Sequence, residues 1–85
     1  MNITPLNREQ AMQMIADALN EPVGNIDCET QRASIVGWDS MGALMLIAEL
    51  DDRFGIELSA DDSRKMSSIG DILAFLRARH LLQEW

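Results

Sequence analysis

An all-α fold is what this sequence predicts, a small four-helix bundle of three main helices and one short one, with a long loop between the first two. Three observations predict it. Apolar residues recur at spacings of three and four in three separate segments, which puts them on one face of a helix. Each of these segments opens on a residue able to cap a helix. No stretch makes a convincing strand, so the helical faces must bury against one another.

The first helix has two possible starts. Asn7 with Gln10 reads as a capping box, in which each residue satisfies the other's backbone N–H. Thr4-Pro5 would instead put Pro5 at the first helical position. Ala11, Met12, Ile15, Ala18 and Leu19 follow at helical spacing, and Asn20-Glu21-Pro22 ends the segment because proline cannot continue a helix. From Glu21 to Trp38 the periodicity is lost, and Pro22, Gly24, Asn25 and Gly37 favour loop. Ile26, Ile35, Val36 and Trp38 are expected to pin that loop to the core. Asp39 or Ser40 caps the second helix, whose Leu44, Ile47, Leu50 and Phe54 are predicted to face the core, with Gly55 as its stop. Ser59 with Asp62 opens a short acidic helix, and Ser68 with Asp71 opens the last. There Ile69, Ile72, Leu73 and Leu76 form the buried stripe. The tail from His80 to Trp85 either extends that helix or folds back.

Eighty-five residues make one domain. An apolar share of 47% argues against disorder. No apolar run approaches the ~20 residues a membrane span needs, and Met1 to Arg8 lacks the order of a signal peptide. A soluble, cytoplasmic monomer is expected. The net charge of −7 disfavours nucleic acid and anionic lipid and favours basic protein patches. Cys28, the only cysteine, can form no internal disulfide and reads as a small buried apolar residue.

Catalytic chemistry finds little footing. His80 is the sole histidine, so neither a two-imidazole metal site nor a triad can be built; it reads as a solvated residue near a helix end. Asp51-Asp52 and Asp61-Asp62 are sequence neighbours, which diverge by about 100° on a helix and share no site. The glycines are scattered and form no phosphate loop. The chain does not read as an enzyme.

One constellation remains, Gly37-Trp38-Asp39-Ser40-Met41, a loop running into a helix. Ser40 falls at that helix's N-terminus, where free N–H groups and the macrodipole favour a phosphate ester. From the pair Asp39-Ser40 alone, a plain N-cap is the better reading. The wider stretch, residues 37–62, resembles the carrier-protein family of acyl and peptidyl carriers. The family pattern runs Gly-x-Asp-Ser-Leu, apolar positions down a helix, Phe-Gly-Ile, then a short acidic helix. Asp39-Ser40 match the attachment pair, with Met41 in the usual place of leucine. Leu44, Ile47, Leu50 and Phe54 match the core positions, Phe54-Gly55-Ile56-Glu57-Leu58 the turn, and Ser67-Ser68-Ile69-Gly70-Asp71 the start of the last helix. The resemblance spans roughly residues 5 to 78, so residues 1–85 read as a single carrier domain.

The resemblance implies a mechanism. A magnesium-dependent phosphopantetheinyl transferase would join 4′-phosphopantetheine from coenzyme A to Ser40, with Asp39 orienting the loop. The arm would carry acyl or aminoacyl cargo as a thioester, loaded by an adenylating or acyl-transferring enzyme and consumed by a downstream synthase or transferase. Trp38 is either an anchor for the loop or a partner contact; aromatic burial favours the anchor.

Departures from the fatty-acid carriers point to a specialised pathway. Where those show acidic residues early in the second helix, this chain has Ala43 and Met45; acid comes only at Glu49, Asp51 and Asp52. Arg64 and Lys65 interrupt the acidic short helix. The run Asp39-Ser40-Met41-Gly42 resembles the D-alanyl carriers. Met41, Met45 and Ala48 form a stripe that is either the core's edge or a docking strip rimmed by Glu49 and Asp52, with Asp61 and Asp62 as a further contact. Two other readings use the same helices: a carrier-like module that never receives the arm, and a helical adaptor that binds a basic partner through its acidic face.

Overall fold

The computed structural model describes residues 5–83. Helix α1 spans Arg8–Ala18, α2 Ser40–Phe54, α3 Ala60–Lys65 and α4 Ile69–Ala78. Among the described residues there is no extended strand, only isolated bridges at Leu6–Leu82 and Gln31–Ser68, and no helix is long and apolar enough to cross a membrane. The small all-α bundle expected from the periodicity is the observed fold.

The helix starts follow the capping chemistry. Asn7 Oδ1 accepts from Gln10 N at 2.8 Å, and Gln10 Oε1 accepts from Asn7 N at 3.0 Å, so α1 begins at Arg8 rather than Pro5. Ser59 and Ser68 cap α3 and α4. Helix α1 ends with Asn20 left-handed, and Glu21 N donates back to Ala16 O, the hydrogen-bond pattern that satisfies the last carbonyls. Helix α4 ends likewise at His80, with Leu81 N donating to Leu76 O. His80 itself is exposed, as expected.

Met14, Ile15, Leu19, Leu46, Leu50, Ile69, Ile72 and Leu76 are the large side chains at the centre of the core. The stripe predicted for α4 is buried in full. Helix α2 requires a correction. Leu50 and Phe54 are buried, but Leu44 is 58% exposed and Ile47 is half-buried at the core's margin. The inward face is Gly42, Ala43, Leu46, Leu50 and Phe54. The cause is a backbone contact that no periodicity encodes: a Cβ on Gly42 would lie 1.9 Å from the Gly37 carbonyl oxygen. Gly42 must therefore face inward, and Leu46, four residues on, faces inward with it. Leu44, about 200° round the helix from Gly42, faces solvent. Ala43, expected at a surface position, is buried by the same rotation.

The long connection is ordered by two 3₁₀ turns, Val23–Asn25 and Arg32–Ser34. Ile26, Ile35 and Trp38 pin it as expected, whereas Val36 is 91% exposed. Backbone bonds tie it to the α3–α4 turn: Arg32 N to Ser67 O, Ile69 N to Thr30 O and Gly70 N to Cys28 O. Cys28 is exposed rather than buried: it is the backbone carbonyl, not the side chain, that faces the α3–α4 seam. Beyond His80 the chain folds back. Leu81 and Leu82 are buried, and Leu6 pairs with Leu81 and Gln83 through its backbone. The expectation for the rest of the tail, Glu84 and Trp85, lies outside the described residues.

Candidate functional site

Ser40 is the first residue of α2 and is exposed. Asp39, not Ser40, is the cap. Its carboxylate accepts from Gly42 N at 2.9 Å, and its carbonyl accepts from Ala43 N at 2.9 Å. The Ser40 hydroxyl makes no hydrogen bond to any described residue. The first-turn amides of Ser40 and Met41 have no acceptor within the helix, and no acidic side chain lies in that turn. A nucleophilic oxygen therefore stands free at the positive end of a helix, where an attached phosphate is favoured.

The loop before Ser40 is held rigidly from behind. A Cβ on Gly37 would lie 1.8 Å from the Leu19 carbonyl oxygen. The end of α1, Gly37 and Gly42 are thus stacked backbone on backbone, and Trp38 to Met41 hang from that stack. Trp38 is 4% exposed and carries the Arg32 guanidinium 5.2 Å from its ring centroid, within cation–π range. Arg32 Nη1 in turn donates to the Ser63 and Met66 carbonyls. The anchor reading of Trp38 holds, and through Arg32 it couples the serine loop to α3.

The surface beside Ser40 is apolar. Met41 is 65% exposed and Met45 53%, so the Met41–Met45–Ala48 stripe faces solvent and is not the core's edge. Leu44, one turn from Met41 and Ala48, extends it, and Val36 in the preceding loop is exposed as well, two residues that sequence reasoning assigned to the core. Centring the helical wheel on Leu46 instead of Leu44 would have exposed Leu44. One turn further along, Asp51 and Asp52 are exposed. Glu49 bonds Arg53 at 2.5 Å and Asp61 bonds Arg64, so those two acids are partly neutralised; Asp51 and Asp52 on α2 and Asp62 on α3 are exposed with no ion pair among the described residues. Asp61 and Asp62 lie in the first turn of α3, where their charge also favours the helix.

Two hollows adjoin the loop. A groove of about 220 Å³ runs between the end of α1 and the first turns of α2. A cleft of about 490 Å³ lies between the long loop and the α3–α4 turn, lined by Arg32, Ile35, Trp38 and Ser67 among others. The Trp38 indole N–H is buried without a partner among the described residues.

Comparison with known proteins points in one direction. The sequence profile of the family described as "Phosphopantetheine attachment site" matches residues 9–76. The chain is 31% identical over 70 residues to an acyl carrier protein of Clostridium acetobutylicum, covering 82% of this chain and 91% of that one. It is 25% identical over 67 residues to an acyl carrier protein of an Exiguobacterium species, covering 79% of this chain and 85% of that one.

Proposed function

Because this chain belongs to the acyl carrier protein family, we propose that Ser40 is the residue that holds its cofactor and that residues 1–85 act as one carrier domain. Family membership brings a covalently attached 4′-phosphopantetheine. The observation that carries the assignment is the free Ser40 hydroxyl at the first position of α2, with Asp39 taking the capping role beside it. The residues fit the group: an exposed serine oxygen to esterify and unpaired first-turn amides for the phosphate, with the neighbouring Asp39 carboxylate engaged by Gly42 N. The arm supplies a terminal thiol for the cargo, and the protein supplies position.

In this reading the chain is a non-catalytic substrate of other enzymes. A phosphopantetheinyl transferase installs the arm, an adenylating or acyl-transferring enzyme loads an acyl or aminoacyl group, and a synthase or transferase removes it, in the cytoplasm. The partner face is the solvent side of α2, with Met41, Leu44, Met45 and Ala48 at its centre and Asp51, Asp52 and Asp62 around it, Glu49 and Asp61 adding to the rim. An apolar centre within a charged rim is the usual interface layout. The sparse acid on the first turns of α2 favours a specialised pathway over bulk fatty-acid synthesis, in keeping with the likeness of Asp39-Ser40-Met41-Gly42 to D-alanyl carriers.

The test is direct. Incubated with coenzyme A, magnesium and a broad-specificity transferase, the protein should gain the mass of one phosphopantetheine, and Ser40→Ala should gain none. Modification of Ser40→Ala at wild-type level would overturn the site; an unmodified wild type beside a modified control carrier would overturn the function.

A further inference from the structure

We infer that the α1–α2 groove seats the protein-proximal half of the phosphopantetheine arm. The inference rests on the assignment of Ser40 as the attachment residue. The groove is lined by Ala18, Asn20, Gly37, Met41, Gly42 and Met45, among others. Met41 directly follows Ser40 in the chain, so a group on the serine oxygen starts at the groove's edge. At 1.5 Å rise per residue, Met45 lies about 7.5 Å further along the helix axis, well within the reach of an extended arm.

The lining has a particular chemistry. Its floor is backbone, because Gly37 and Gly42 touch there and neither can carry a Cβ without collision. Met41 and Met45 stand one turn apart, both more than half exposed, and Ala18 lies opposite on α1. The Asn20 side-chain amide makes no hydrogen bond to any described residue and offers both a donor and an acceptor. Outward from its phosphate, the arm presents a geminal dimethyl carbon and then an amide. The dimethyl group suits the methionine wall, which is flexible and polarizable, and the amide suits Asn20. A volume of about 220 Å³ is below the ~300–1,000 Å³ of a ligand pocket, so it holds part of the arm and leaves the thiol end free for partners. The larger cleft at Arg32 and Trp38 includes in its lining neither Asp39 nor Met41, the two chain neighbours of Ser40, both of which line the groove.

The test compares the two forms of the whole chain by NMR after intact-mass confirmation of the arm. The expected result is nuclear Overhauser contacts between the arm's geminal methyl protons and the methyls of Met45 or Ala18, with amide shifts at Ala18 and Asn20. Asn20→Gly, on the α1 side of the groove and at a left-handed position that glycine adopts freely, should accept the arm to the same mass and weaken those contacts. Contacts to Ile35 or Ala33 in place of Met45, or an arm with the sharp lines of a free chain and no contacts, would overturn the groove assignment while leaving Ser40 standing. Failure of the arm to attach to Ser40 would overturn both.

Discussion

Asp39 and Ser40 divide two tasks that one side chain could not perform together. Capping commits an oxygen to a backbone N–H; attachment needs an oxygen free to react. With Asp39 bonded to Gly42 N, Ser40 keeps its hydroxyl. Gly42 matters as much as either. Replacing it by alanine would gain roughly 0.8–1 kcal/mol of helix propensity, yet the new Cβ would strike the Gly37 carbonyl at 1.9 Å. Strain of that kind typically costs ~1–3 kcal/mol. Gly42→Ala should therefore lower the melting temperature and slow modification of Ser40; a raised melting temperature would show that the stack can yield. Asp71 supplies a pH-dependent contact. Its carboxylate is held below the ordinary range, first by the Ser67 backbone N–H, with the Ser67 hydroxyl and the Ser68 bonds adding to it against a cost of burial. A lowered native pKa means stability that is full above the unfolded value, ~3.9, and is lost as pH falls through the native one. Asp71→Asn should be less stable than wild type at neutral pH, with the gap closing below about pH 4. Melts that differ equally from pH 7 to 3 would contradict this.

Helix α2 is where the chain's two surfaces separate, and its rotation decides which residues serve which. Leu46→Ala should cost ~2–5 kcal/mol, since Leu46 is fully buried, a large part of the ~5–15 kcal/mol available to a small domain. Leu44→Glu should stay within ~0.5 kcal/mol of wild type. Thermal melts ranking the two the other way round would mean the helix is turned. The sequence carries much of this architecture openly: Asn7, Ser59 and Ser68 are caps by chemistry, Gly55 is a stop, and the α4 stripe at Ile69, Ile72, Leu73 and Leu76 has one phase only. In α2 it is ambiguous. Leu44, Leu46, Ile47 and Leu50 are all apolar, so two phases fit, and the Gly37–Gly42 contact that selects one spans a loop. The long connection hides for a related reason. Short 3₁₀ turns have no periodic signature, so nothing local shows that Val36 and Cys28 point outward while Ile35 and Trp38 point in. At the site, Asp39 and Ser40 were legible from their place at a helix start after a loop, but which of the two capped was not.

At the scale of the whole molecule, a net charge of −7 and an apolar patch near one helix end suit the proposed role, in which different enzymes meet the protein in turn. In that role the field would steer basic partners, and the apolar centre would supply contact once they arrive. Asp51→Lys combined with Asp52→Lys, both exposed towards the C-terminal end of α2 where a cation is favoured, should leave the fold intact, slow association with the cognate loading enzyme, and flatten the dependence of that rate on salt. An unchanged rate and salt slope would place docking elsewhere. The central claim, that Ser40 bears the arm, meets its most direct test in a fragmentation mass spectrum of protein expressed in a bacterial host. The account predicts one phosphopantetheine per chain, located on the peptide containing Ser40. The same added mass on a peptide lacking Ser40 would contradict it.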